Sequence, residues 1–118
     1  MSVAVYNQIG RIKNYHLANI PITATRIFTA SKNLGETVLE ILICNKINAT
    51  RIITIQVYRA ASATSFALAF DKSISGDDVY RCDFPISMLE GDEIRLTAGT
   101  ATSLDGSIAV SEGIGRGA

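Results

Sequence analysis

The chain is poor in the residues from which reaction centres are built. His16 is its only histidine, so neither a Ser-His-Asp triad nor a histidine-based metal site has much to build on. It has two cysteines, Cys44 and Cys82, each inside an expected strand among apolar neighbours. They read as two free thiols serving as small hydrophobes; a bridge between them requires that their strands face each other. No apolar run approaches the ~18 residues of a membrane-spanning helix. No charged-then-apolar segment follows Met1, so the expectation is a soluble chain made in a reducing cytosol. No helical pattern of useful length appears, and the first 35 residues contain no acid.

What the chain has instead is a repeated grammar of short, alternating apolar runs separated by turn residues over residues 36–112. Each run can bury one face and wet the other, as a strand of a sandwich does. At 118 residues it is one domain, long enough to bury a core without staples. Apolar residues make up 47% of it and the mean hydropathy is +0.25. That excess fits surface covered by a partner or by copies of itself, or a core rich in Ile, Val and Ala.

Net charge is zero but unevenly spread. Residues 1–59 hold seven of the eleven Lys and Arg and only Glu36 and Glu40 as acids, whereas residues 60–118 hold nine acids against four bases. Such polarity suits head-to-tail contact between subunits, although interleaved strands can cancel it in space. Dispersed bases and a pI near 6.5 argue against direct nucleic-acid binding.

Residues 1–22 read as an N-terminal arm, 23–112 as the sandwich, and 113–118 as a flexible Gly-rich tail. Strands are expected over 23–29, 36–44, 50–59, 66–71, 80–84, 92–98 and 107–112, with Val3/Val5 and Tyr15/Leu17 as short strand pieces in the arm. In the strand over 36–44, Leu39, Ile41 and Ile43 share one face. Ile53, Ile55 and Val57 point inward in the next, and Phe66, Leu68 and Phe70 share a face in the one after. Residues 85–91 read as a helical turn or a loop. Seven to eight strands at about 10-residue spacing give an all-β, antiparallel sandwich or jelly-roll-like fold.

Of the groups that carry chemistry, a Cys44–His16 thiol–imidazole pair is disfavoured by the apolar setting of Cys44. Acids cluster at Asp77-Asp78 and at Glu90-Gly91-Asp92-Glu93, and would hold calcium or flank a glycoside only if the two turns met. Ordinary turn punctuation accounts for them equally. Residues 113–117 lack the Lys-Ser/Thr and the following helix of a phosphate loop. No catalytic residue, metal ligand or cofactor is therefore expected. Interface anchors are expected at Tyr6, Ile9, Arg11, Ile12, Lys13 and Tyr15 in the arm and at Tyr58 and Arg59.

Three stretches carry a resemblance: 28–45, including Thr37-Val38-Leu39-Glu40-Ile41-Leu42-Ile43-Cys44-Asn45; Ile53-Thr54-Ile55-Gln56-Val57; and Leu89-Glu90-Gly91-Asp92-Glu93-Ile94-Arg95-Leu96. Together they resemble small β-sandwich structural proteins of tailed bacteriophages, in which a strand ending in Cys-Asn precedes an alternating strand and a Gly-Asp turn opens a late one. The resemblance covers about residues 26–112. It implies a non-enzymatic virion protein: a capsid cement or decoration subunit, or a tail, neck or fibre component presenting loops such as 60–64 and 99–107. It further implies other virion proteins and copies of itself as partners, no membrane, and assembly into the virion after synthesis in the host cytoplasm.

Overall fold

The alternation along each run is realised as strand, because one row of Ile, Val and Leu is buried while the intervening residues reach solvent. The computed structural model describes residues 11–31 and 35–112, and among these every regular element is a strand. There are nine: β1 (Arg11–Leu17), β2 (Thr25–Thr29), β3 (Glu36–Asn45), β4 (Arg51–Arg59), β5 (Thr64–Ile74), β6 (Val79–Cys82), β7 (Ile86–Met88), β8 (Glu93–Ala98) and β9 (Leu104–Glu112). One sheet runs β1-β9-β3-β6, with β7 continuing the β6 edge along β3; the other runs β2-β8-β4-β5. All pairings are antiparallel. Consecutive strands thus cross from sheet to sheet, except the β4–β5 hairpin and the β6–β7 edge, which is the double Greek key of a jelly roll.

Ile20, Val38, Ile41, Ile43, Ile53, Ile55, Ile94, Leu96, Leu104, Ile108 and Val110 fill the space between the sheets and are essentially fully buried. Gly106 lies where core side chains come close to the backbone of β9. A Cβ there would stand 2.6 Å from Leu96 Cδ1 and 3.3 Å from Ile20 Cδ1.

Several expectations are revised. Residues 11–17, placed in the arm by the sequence reading, pair along their whole length with β9, and Ile20 enters the core. Residues 1–10 and 113–118 lie outside the described residues. Residues 85–91 contain β7 rather than a helical turn, because Thr37 and Val38 offer it a ladder. In β3 a bulge at Leu39 shifts the phase, since Val38 opposes Val110 while Glu40 opposes Ala109. Val38 and Ile41 consequently both face the core and Leu39 does not share their face.

β5 departs furthest from its sequence pattern. Two register shifts against β4, one of them beside Asp71 at φ 48°, turn Ala69 and Ile74 inward. Phe66 and Phe70 are left half and largely exposed. Bulges and a mid-strand Asp-Lys pair are how an edge strand resists indiscriminate pairing.

Candidate interaction surface

The two ends of the sandwich are closed by side chains that the sequence marks as turn formers. At one end Asp92 is buried: one carboxylate oxygen accepts from the Ala60 N–H at 2.9 Å, the other from the Leu89 N–H at 3.0 Å and from Arg59 Nη1 at 2.8 Å. Arg59 also donates to the Ser87 carbonyl at 2.8 Å. This knot ties the β4–β5 turn to the β7–β8 turn. Burial pushes the Asp92 carboxyl up, but the Leu89 N–H, the Arg59 guanidinium and the Ala60 N–H outweigh it and hold it below its ordinary value.

At the other end Asn45 is buried, its amide nitrogen donating to the carbonyls of Ala49, Ile74 and Ser75 at 2.8–3.1 Å. Its side-chain oxygen accepts from the Ile47 N–H. From the sequence Asn45 reads as a residue that ends a strand in the left-handed region; its φ is not positive, and it works through its amide instead.

These ends decide the fate of the acid clusters. The turn at 77–78 hydrogen-bonds to Ile47 and Asn45 at one end of β3, while Met88, just before the 90–93 cluster, pairs with Glu36 at the other. A ten-residue strand separates them by about 30 Å. Asp92 already accepts three hydrogen bonds, and no group of three or more potential metal-ligating side chains occurs among the described residues. His16 and Cys44 do line one shallow depression of about 200 Å³ on the outer face of the first sheet, with Leu17, Ala18, Leu42, Asp105, Gly106 and Ser107. They stand on β1 and β3 with β9 between them, and neither side chain makes a hydrogen bond among the described residues. Cys44 and Cys82 are both free; the register opposes Cys82 to the inward Ile41 and Cys44 to the exposed Val79, so they point to opposite faces.

The expected anchors whose side chains are described, Ile12, Lys13, Tyr15, Tyr58 and Arg59, lie on strands of both sheets. Ile12 is exposed on β1, Lys13 pairs with Glu112 at 3.2 Å, and Tyr15 turns inward onto Phe28 with ring centroids 5.0 Å apart. Of Arg11 only the backbone is described, in register with Glu112; Tyr6 and Ile9 lie outside the described residues. Tyr58 lies under the Arg95 guanidinium at 4.1 Å, and Arg59 holds Asp92, both half-buried at the end of β4.

Most of the exposed apolar side chains lie elsewhere. Of the eight large ones among the described residues, Phe66, Phe70, Val79, Phe84 and Leu89 belong to the flank built by β5, β6, β7 and their turns. Lys72 of β5 lies 5.7 Å over the Tyr80 ring of β6, which joins the two sheets along that flank. The sequence carries a faint sign of this surface: Asp71 and Asp83 each stand next to a phenylalanine, a charge no core strand would keep.

The two-sheet architecture is similar to that of viral capsid proteins. The chain superposes on the capsid protein of infectious bursal disease virus from a T13 particle with a TM-score of 0.53 and 10% identity, over 91% of this chain and 32% of that one. It superposes on a pentameric capsid protein isolated from metagenomic phage sequences with a TM-score of 0.52 and 17% identity, over 91% of this chain and 67% of that one. A VP2 mutant of infectious bursal disease virus in T=1 particles gives 0.51 and 12% identity, over 87% and 32%. The chain therefore spans about a third of the length of the bursal disease virus protein. No protein-family model and no curated protein sequence matches it. At such identities the likeness establishes the fold.

Proposed function

We propose that the chain is a non-enzymatic structural protein of a bacteriophage virion, a capsid cement or decoration subunit that stabilises the shell through contacts with other virion proteins and with copies of itself. The observation that carries this reading is the fold likeness: a jelly roll superposing over nine-tenths of its length on capsid proteins, one of them from phage sequences and pentameric. Two further features support it. The buried polar groups Asp92, Asn45 and Glu36 are spent on closing turns, and the exposed apolar residues gather on one flank.

A tail, neck or fibre role is the second reading. The exposed turns 60–64 and 99–102 favour it as presentation loops. They stand at opposite ends of β4, since Arg59 precedes one and Gly99 hydrogen-bonds to Ile52 beside the other, so a receptor tip would use one of them at a time.

The cement role is tested by adding purified protein to shells stripped of it and following genome release on heating. Release at a higher temperature on addition is the expected result. Shells that neither bind the protein nor gain stability from it would overturn the reading.

A further inference from the structure

We propose that copies of this chain associate head to tail, the basic β1–β2 flank of one copy docking on the apolar, acid-rimmed β5–β6–β7 flank of the next. The inference rests only on the self-association in the reading above and is independent of any place in a virion.

The two flanks are opposite sides of one sandwich. β1 and β5 are terminal strands of their sheets, and Tyr15 of β1 against Phe28 of β2 closes one side as Lys72 over Tyr80 closes the other. Their charges are opposed. Residues 11–31 contain Arg11, Lys13 and Arg26 and no acid, a formal +3. Residues 64–90 contain Asp71, Asp77, Asp78, Asp83 and Glu90 against Lys72 and Arg81, five minus two, a formal −3. In space the asymmetry is smaller, because Lys13 pairs with Glu112 of β9 at 3.2 Å and Arg26 with Glu93 of β8 at 3.8 Å, which leaves the basic flank three bases against two acids, a formal +1. All five acids are exposed, and so is Arg26.

The acidic flank also offers the apolar area. Phe66, Phe70 and Phe84 are 52%, 73% and 50% exposed, together on the order of 350 Å² of ring surface. Val79, at 47%, stands opposite Cys44 and Leu89, at 67%, follows Met88 opposite Glu36, so the two mark the ends of the flank. A stable interface buries roughly 800 Å² per partner, so the apolar patch supplies a large part of one side and the charged rim the register. Opposite the rings, the basic flank offers the exposed Ile12 and Ile22. Because the two surfaces differ, the contact is heterologous and leaves a free flank on each copy, so it propagates to a ring or a chain rather than stopping at a two-fold dimer.

The test is mutual rescue by charge exchange, read as mass in solution by light scattering at low salt. Wild type is expected well above its 12.6 kDa monomer mass and to fall toward it as salt is raised. Arg26→Glu alone, and Asp83→Lys with Glu90→Lys, each replace attraction by repulsion and weaken association about tenfold. Mixing the two variants pairs each altered flank with its new complement and restores the mass. Phe70→Glu, at a side chain that touches no core, is expected to abolish association without changing the melting temperature. A wild type that stays monomeric overturns both this proposal and self-association. A wild type that assembles while the single variants assemble equally well, or while the mixture fails to recover, overturns the flank assignment alone.

Discussion

Replacing Asp92 by alanine removes the acceptor shared by three donors from two parts of the chain, Arg59-Ala60 and Leu89. The Ala60 and Leu89 N–H groups lose a charged partner in a part-buried setting, each worth about 1–2 kcal/mol. Arg59 loses a 2.8 Å pair but is a third exposed and keeps the Ser87 carbonyl, so its share is below about 1 kcal/mol. The total is about 3 kcal/mol, or about 12 °C in melting temperature for a domain of this size. Thermal unfolding by circular dichroism measures it. Asp92→Asn keeps one acceptor and should lose about half as much. The pH dependence has a fixed sign. The folded carboxyl lies below its unfolded value, so its contribution is complete above the ordinary carboxylate range of about 4 and is lost as pH falls through the lowered folded value. The gap between wild type and Asp92→Asn should therefore close in acid. A loss under about 1 kcal/mol for the alanine variant, or a gap that widens on acidification, would refute the reasoning.

Other outcomes follow from the same structure. Asn45→Asp should destabilise more than Asn45→Ala, because a carboxylate would face the three carbonyls that the amide now serves, whereas alanine leaves them unpartnered, at about 2–3 kcal/mol; urea unfolding ranks the two. Gly76→Ala should cost more than Gly106→Ala in the same assay. Its Cβ would meet backbone, Ala49 N at 2.6 Å, whereas at Gly106 the obstruction is the far end of Leu96, and overpacking of that kind costs about 1–3 kcal/mol. In native protein Cys44 should react with a thiol reagent before Cys82. Burial pushes the Cys82 thiol up and Asp83 adds to it, against a hydrogen bond from the Phe84 backbone; equal rates would contradict the placement of the two strands.

Much of the fold is written in local pattern. β4, β8 and β9 alternate without interruption, and Ile53, Ile55, Val57, Ile94, Leu96, Ile108 and Val110 are buried as that alternation requires. The pattern misleads where a bulge inserts a residue. In β3 the shift at Leu39, and in β5 the two shifts before Ile74, depend on partner strands distant in sequence, and no local periodicity encodes them. β7 has no local signature, because three residues carry no periodicity of their own. The candidate surface was legible in part. The charge asymmetry is a property of the sequence, whereas Phe66 and Phe70 read only as one face of a strand, and the bulges of an edge strand decide that they meet solvent. Tyr58 and Arg59 illustrate the converse, side chains with the chemistry of anchors that find partners within their own sandwich.

Imaging of purified phage particles at a resolution that traces strands tests the central claim most directly: that this jelly roll acts through contacts between subunits and not through a reaction. The account predicts repeated density for the nine-strand sandwich on the shell, with neighbouring copies or shell subunits against the β5–β6–β7 flank. Particles that lack the protein, or copies that leave that flank open to solvent while a small molecule occupies the His16–Cys44 depression, would contradict it.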